Sequence, residues 1–130
     1  MRAFRVAYDG RPYHGFQRQP DVPTVEDRLF AACRALGVCE AEPQNYAAAG
    51  RTDRGVSALA QTVGFDCPDW LTPAALNSHL PDAIRAWASV DPPDGFHPTH
   101  DARRRSYEYH LFAPGADLDR ARAALSRLAG

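Results

Sequence analysis

Apolar and polar residues alternate from Ala3 to Tyr8, with Phe4, Val6 and Tyr8 on one side and Ala3, Arg5 and Ala7 on the other. That period of two predicts a strand, broken by the turn signal Asp9-Gly10. The following stretch, RPYHGFQRQPDVP, has no period and reads as a loop. Thr24 then stands three residues before Asp27 in a capping-box-like arrangement, and Val25, Leu29, Ala32, Cys33 and Leu36 recur at helical spacing up to Gly37. A helix over 24–36 is expected. The segment QNYAAAG, 44–50, has alanine's helical propensity, yet Pro43 before it and Gly50 at its end leave too little room for a helix, so a short strand is expected. Residues 60–66 read as a strand with Gln61, Val63 and Phe65 opposite Thr62 and Gly64, ended by Cys67-Pro68. Thr72 offers an N-cap with Pro73 at the first helical position, and Pro81 closes that short helix. A further strand, IRAWASV, places Ile84, Ala86, Ala88 and Val90 on one side and Trp87 on the other.

The order strand, helix, strand, strand, helix, strand predicts an α+β, ferredoxin-like (RRM-like) antiparallel sheet with helices packed on one face and the other face open to a ligand. Beyond it, Tyr107, Tyr109 and Leu111 share one face of an expected fifth strand. Residues 117–128 have an amphipathic pattern through Leu118, Ala121, Leu125 and Leu128. The chain is accordingly divided into a domain over 1–115 and a helical segment over 116–130. Neither an internal repeat nor a low-complexity tract is visible, and DPPDGFHP reads as a surface loop.

Composition narrows the class without naming a function. With 130 residues, 45% of them hydrophobic, the chain is long enough for one core and short for two. Its formal net charge of −1 gives no global basic signal for nucleic acid. All 15 basic residues are arginine, however, and Arg103, Arg104 and Arg105 are consecutive. Guanidinium groups grip phosphate bidentately and stack on bases, although GC-rich coding explains a general arginine bias equally well. No apolar run approaches the roughly 18 residues of a membrane span, and the N-terminus has no hydrophobic signal core, so a cytoplasmic location is expected. Cys33, Cys39 and Cys67 form no CxxC pair and are expected to be buried, reduced thiols. His97 and His100 flank Pro98 with no acidic or cysteine cluster beside them, so neither a metal nor another cofactor is expected.

The densest chemistry lies in GRTDRGVSA, Gly50 to Ala58. Arg51 and Asp53 are two apart, so in an extended segment both project to one side, where the guanidinium favours an ionised carboxylate. Such a carboxylate is a candidate nucleophile or base, and a loop ion pair is the structural alternative.

GRTDRGVSA resembles the catalytic-loop signature of the TruA family of tRNA pseudouridine synthases. Two further segments resemble that family in the same order: YDGRPYHGFQRQ, Tyr8 to Gln19, and FHPTHDARRRSYEYHLF, Phe96 to Phe112. The resemblance implies that Asp53 is the catalytic aspartate, that Arg51 helps extrude the target uridine, and that Tyr107 packs against the base. It implies tRNA as partner, with a uridine of the anticodon arm as substrate, no cofactor, and a homodimer in the full-length form. Arg54, Arg103, Arg104 and Arg105 are the candidate RNA-binding residues. Arg54 departs from the alanine usual in bacterial members, GVSA is closer to archaeal and eukaryotic ones, and Thr99 stands where bacterial members tend to carry a basic residue. An archaeal source is expected. Family members continue into a second domain, so this chain is expected to be the N-terminal half of a longer enzyme. Two rivals are a non-catalytic RRM-like RNA-binding module, marked by exposed stacking aromatics on central strands, and a stand-alone folding or dimerisation unit.

Overall fold

The computed structural model describes residues 1–129. Its elements are β1 (Arg2–Tyr8), α1 (Val25–Ala35), β2 (Ala47–Ala48), β3 (Ala58–Phe65), α2 (Pro73–Asn77), β4 (Ile84–Val90) and α3 (Leu118–Leu128). The sheet is antiparallel with order β2-β3-β1-β4, the split βαβ topology expected of a ferredoxin-like α+β domain. Helices α1 and α2 lie on one side of it.

Local chemistry accounts for the element ends. Thr24 caps α1 by accepting the Asp27 N–H, with Glu26 and Asp27 in the first turn where the helix dipole favours acids. Thr72 caps α2 in the same way through the Ala75 N–H, with Pro73 in the first turn. The core is built from alternate positions of β1 and β3, Phe4, Val6, Tyr8, Val63 and Phe65, against Leu29, Phe30 and Cys33 of α1 and Leu76 of α2. Phe4 and Phe65 stack at 5.2 Å between ring centroids, worth about 0.5–1.5 kcal/mol beyond their burial. Cys33 is buried and free, its thiol pushed up to about 12 by burial; Cys39 and Cys67 are free and only half-buried.

Three expectations need correction. Ala88 and Val90 do not share the face of Ile84 and Ala86. Arg5 pairs with Ala88 and Val6 with Ala86, so Trp87 is an extra residue in a β-bulge. One inserted residue reverses the alternation, placing Val90 opposite Ala3 on the outer face. The outer face is also not wholly open, because Pro98 is fully buried against Gly64 and Thr99 Oγ1 donates to the Ala48 carbonyl at 2.6 Å. Finally, residues 102–113 form no strand. A fifth strand needs a ladder partner, and β2 is only two residues long. The nearby carbonyls of Ala48 and Ala49 are already taken by the side chains of Thr99 and Arg105. Tyr107, Tyr109 and Leu111 are exposed as a result. Helix α3 forms where its pattern placed it, with an Asp117 cap, but none of its residues is buried.

Candidate active site

The loop between β2 and β3 carries Gly50 to Ser57, and its backbone is held from below at several points. Tyr8, the last residue of β1, places its hydroxyl 2.7 Å from Thr52 Oγ1. The Phe16 N–H donates to the Thr52 carbonyl at 3.0 Å. At the near end, Gln61 Nε2 donates to the Gly50 carbonyl at 2.9 Å, and Arg105 donates through Nε and Nη2 to Ala49. At the far end, the Gly10 N–H donates to Ser57 Oγ at 3.0 Å. Between these anchors the Val56 N–H closes a turn on the Asp53 carbonyl at 3.1 Å, with Gly55 at φ 79° supplying the left-handed residue.

Anchoring the main chain leaves the side chains of Arg51, Asp53 and Arg54 exposed. All three line a cleft of about 280 Å³, whose other wall is His14, Gly15, Phe16, Gln17 and Gln19. Asp53 is the one carboxylate among these lining residues. Asp9, which does not line the cleft, is otherwise engaged: Arg11 donates to both its oxygens and holds its carboxyl down at about 2. The expected Arg51–Asp53 pair is not formed. Among the described residues neither side chain makes a hydrogen bond or an ion pair, while Thr52 between them is held through its hydroxyl by Tyr8 and through its carbonyl by Phe16. Each faces the cleft unpaired.

The other expected site residues are not gathered here. Tyr107 is 81% exposed and does not line the cleft. Among the described residues its segment is tied to the loop through Arg105, which also donates to the Thr99 carbonyl at 2.9 Å. Arg105 thus spends most of its donors inside the protein, whereas Arg104 makes one long bond to Ser106 Oγ at 3.3 Å. The His97 and His100 rings lie 4.3 Å apart between centroids and are tilted by 37°, and among the described residues no group of three or more His, Cys, Asp or Glu is placed to hold a metal. No described helix is long and apolar enough to cross a membrane.

Sequence reasoning did not single out Tyr8, Gly10, Phe16 or Gln61 for the site. Gln61 left a signal, a polar residue at an inward position in register with Val63 and Phe65. The bond from Phe16 to Thr52 left none, since it joins two aperiodic loops. Exposed stacking aromatics, the mark of an RRM-like binding face, do not occur on the central strands β1 and β3, whose aromatics Phe4, Tyr8 and Phe65 are all buried.

No protein-family model matches the chain. Among curated proteins, it is 65% identical over 123 residues to the tRNA pseudouridine synthase A of Haloarcula marismortui, covering 92% of this chain and 44% of the relative. It is 63% identical over 132 residues to the protein of that name from Halobacterium salinarum, covering 99% of this chain and 50% of the relative. Against the protein of that name from Thermococcus onnurineus, identity is 43% over 119 residues, covering 88% and 44%. The chain therefore spans about half the length of the curated relatives it matches. Identity at this level across nearly the whole of the present sequence, on the split βαβ sheet described above, shows that the chain belongs to the tRNA pseudouridine synthase A (TruA) family as a partial-length member.

Proposed function

We propose that this chain is the aspartate-bearing half of an enzyme that isomerises uridine to pseudouridine in the anticodon arm of tRNA, with Asp53 as its catalytic carboxylate. The observation that supports this most is the cleft itself, in which Asp53 is the single acid, unpaired and exposed, on a loop whose backbone is fastened at both ends. The names of its relatives supply the substrate class.

The reaction breaks the bond from uracil N1 to the sugar C1′ and forms one from C5 to C1′, while a proton leaves C5 and another is taken up at N1. Atoms and electrons balance without an external oxidant or reductant, so one carboxylate suffices. It acts either by adding covalently or by removing a sugar proton to give a glycal. The target base is unreachable within a stacked stem and must be flipped out. Arg51, on the cleft wall beside Asp53, fills the vacated stack. Arg54, Arg103, Arg104 and the remaining donor of Arg105 contact phosphate. Tyr107 packs on the base once its segment is ordered by the rest of the protein, which also covers the open side of the cleft and supplies a homodimer contact.

The test is Asp53→Asn in the full-length protein. Pseudouridine formation in unmodified tRNA, mapped by chemical labelling, is expected to be abolished. Affinity for tRNA stays within about threefold, because phosphate contacts rather than the carboxylate hold the RNA. Substantial product from the variant would overturn the assignment.

A further inference from the structure

Segment 14–18, the wall of the cleft opposite Asp53, is a clasp between the start of α1 and the candidate catalytic loop. On the helix side, the His14 N–H donates to the Pro23 carbonyl at 2.8 Å. The Val25 and Glu26 N–H groups donate back to the carbonyls of Gly15 and Phe16 at 3.3 and 2.9 Å. On the loop side, the Phe16 N–H donates to Thr52, one residue from Asp53. Gly15, at φ 93°, lies so close beneath that loop that an added Cβ would stand 3.2 Å from the Thr52 carbonyl oxygen.

Backbone pairing leaves the Arg18 N–H, and a side chain takes it. Glu26 is buried, and its Oε1 accepts that N–H at 3.2 Å. One residue therefore holds the clasp twice, through its own N–H on Phe16 and its carboxylate on Arg18. Arg18 completes the seam, with its guanidinium 5.0 Å over the Phe30 ring and an ion pair to Glu42 at 2.8 Å. Beneath it, Tyr46 packs edge-on against Phe30 at 4.7 Å, and its hydroxyl is the one buried side-chain polar atom without a hydrogen bond among the described residues. Burial and the neighbouring Glu26 carboxylate raise the Tyr46 hydroxyl well above its ordinary range, so it stays protonated.

We propose that Glu26 is a positioning residue for the reaction, fixing segment 14–18 and, through the bond from Phe16 to Thr52, the placement of Asp53 against the bound base. The proposal rests on the reading of Asp53 given above. Glu26 touches no substrate. Its effect is mechanical, since a displacement of about 1 Å in a reacting group costs as much as a hundredfold in rate. A glutamate that serves only to start a helix would lower stability and leave the turnover of folded enzyme unchanged.

The test compares Glu26→Ala, Glu26→Gln and the core control Leu76→Ala in the full-length protein, assayed well below the lowest Tm. Glu26→Ala is expected to lower kcat about tenfold or more with KM for tRNA changed less than about threefold. Glu26→Gln keeps an oxygen acceptor for Arg18 and is expected to restore kcat to within about threefold. Leu76→Ala lowers Tm and keeps kcat. Independently of activity, hydrogen exchange at the amides of Phe16 and Arg18 is expected to quicken in Glu26→Ala and not in Leu76→Ala. Unchanged kcat, or unchanged exchange at those two amides, overturns the proposal. A parent enzyme that forms no pseudouridine removes the function reading instead, and the exchange measurement then decides the role of Glu26 alone.

Discussion

Gly10 sits directly beneath the far end of the candidate catalytic loop, where an added Cβ would collide with the Val56 carbonyl and approach the Gly55 carbonyl carbon to 3.0 Å. Both are backbone, which has no rotamer by which to yield. In the sequence, Asp9-Gly10 reads only as a turn that ends β1; packing adds that no other residue fits there. Gly10→Ala is therefore expected to cost about 1–3 kcal/mol, as overpacking of a close-fitted site does, and to displace residues 53–56. Chemical denaturation and pseudouridine yield in the full-length protein check this together: loss of stability with full activity would show that the loop has slack. Tyr8 makes a complementary case, since its burial follows from the alternation of β1 but its hydroxyl contact with Thr52 depends on where the 50–57 loop returns. The motif marks Arg51 and Asp53 as a candidate pair, whereas in the structure the two side chains stay unpaired on either side of Thr52, whose hydroxyl and carbonyl meet Tyr8 and Phe16.

Among the elements, β1 and the capped helices α1 and α2 follow their patterns closely because their determinants lie within a few residues of each other. The segment from Arg103 to Leu111 does not, because a strand depends on a partner whose place the local sequence does not encode. Its three arginines consequently divide into two kinds. Arg103 and Arg104 are exposed and make at most one weak side-chain contact, while Arg105 fastens the segment to Ala49 and Thr99. In the full-length protein, Arg103→Ala and Arg104→Ala are each expected to weaken tRNA binding and to reduce the logarithmic salt slope by about 0.7–0.9, the value of one lost phosphate contact. Arg105→Ala is expected to lower turnover more than it changes the slope, because it frees the segment that carries Tyr107. Binding titrations at several salt concentrations distinguish the two kinds. Identical slopes for all three variants and the parent would assign Arg103 and Arg104 to a solvated charge run.

At the scale of the whole molecule, the described residues form one sheet and two packed helices, together with a third helix that packs on nothing. Leu118, Leu125 and Leu128 of α3 are exposed, as are Tyr109, Leu111 and Phe112 before it. An apolar surface of this extent finds a partner, and the chain spans only about half the length of its relatives. By itself the 130-residue chain is expected to fold, to self-associate through this face, and to form pseudouridine far more slowly than the full-length enzyme, since a cleft left uncovered leaves a flipped base in water. Sedimentation with and without Leu125→Glu tests the association, and turnover equal to that of the full-length enzyme would overturn the expectation for catalysis. The sequence by itself determined what short-range pattern can carry: the order of the first six elements, the caps of α1 and α2, the inward positions of β1 and β3, and a polar loop over 50–57 that carries Arg51 and Asp53. Tertiary structure alone decided the bulge at Trp87, the covering of Gly64 by Pro98, the absence of a fifth strand, and the fastening of the loop by Tyr8, Phe16, Gln61 and Arg105. Each of those joins residues far apart in the chain, and such a contact depends on the register and closure of the sheet as a whole, which no local period contains.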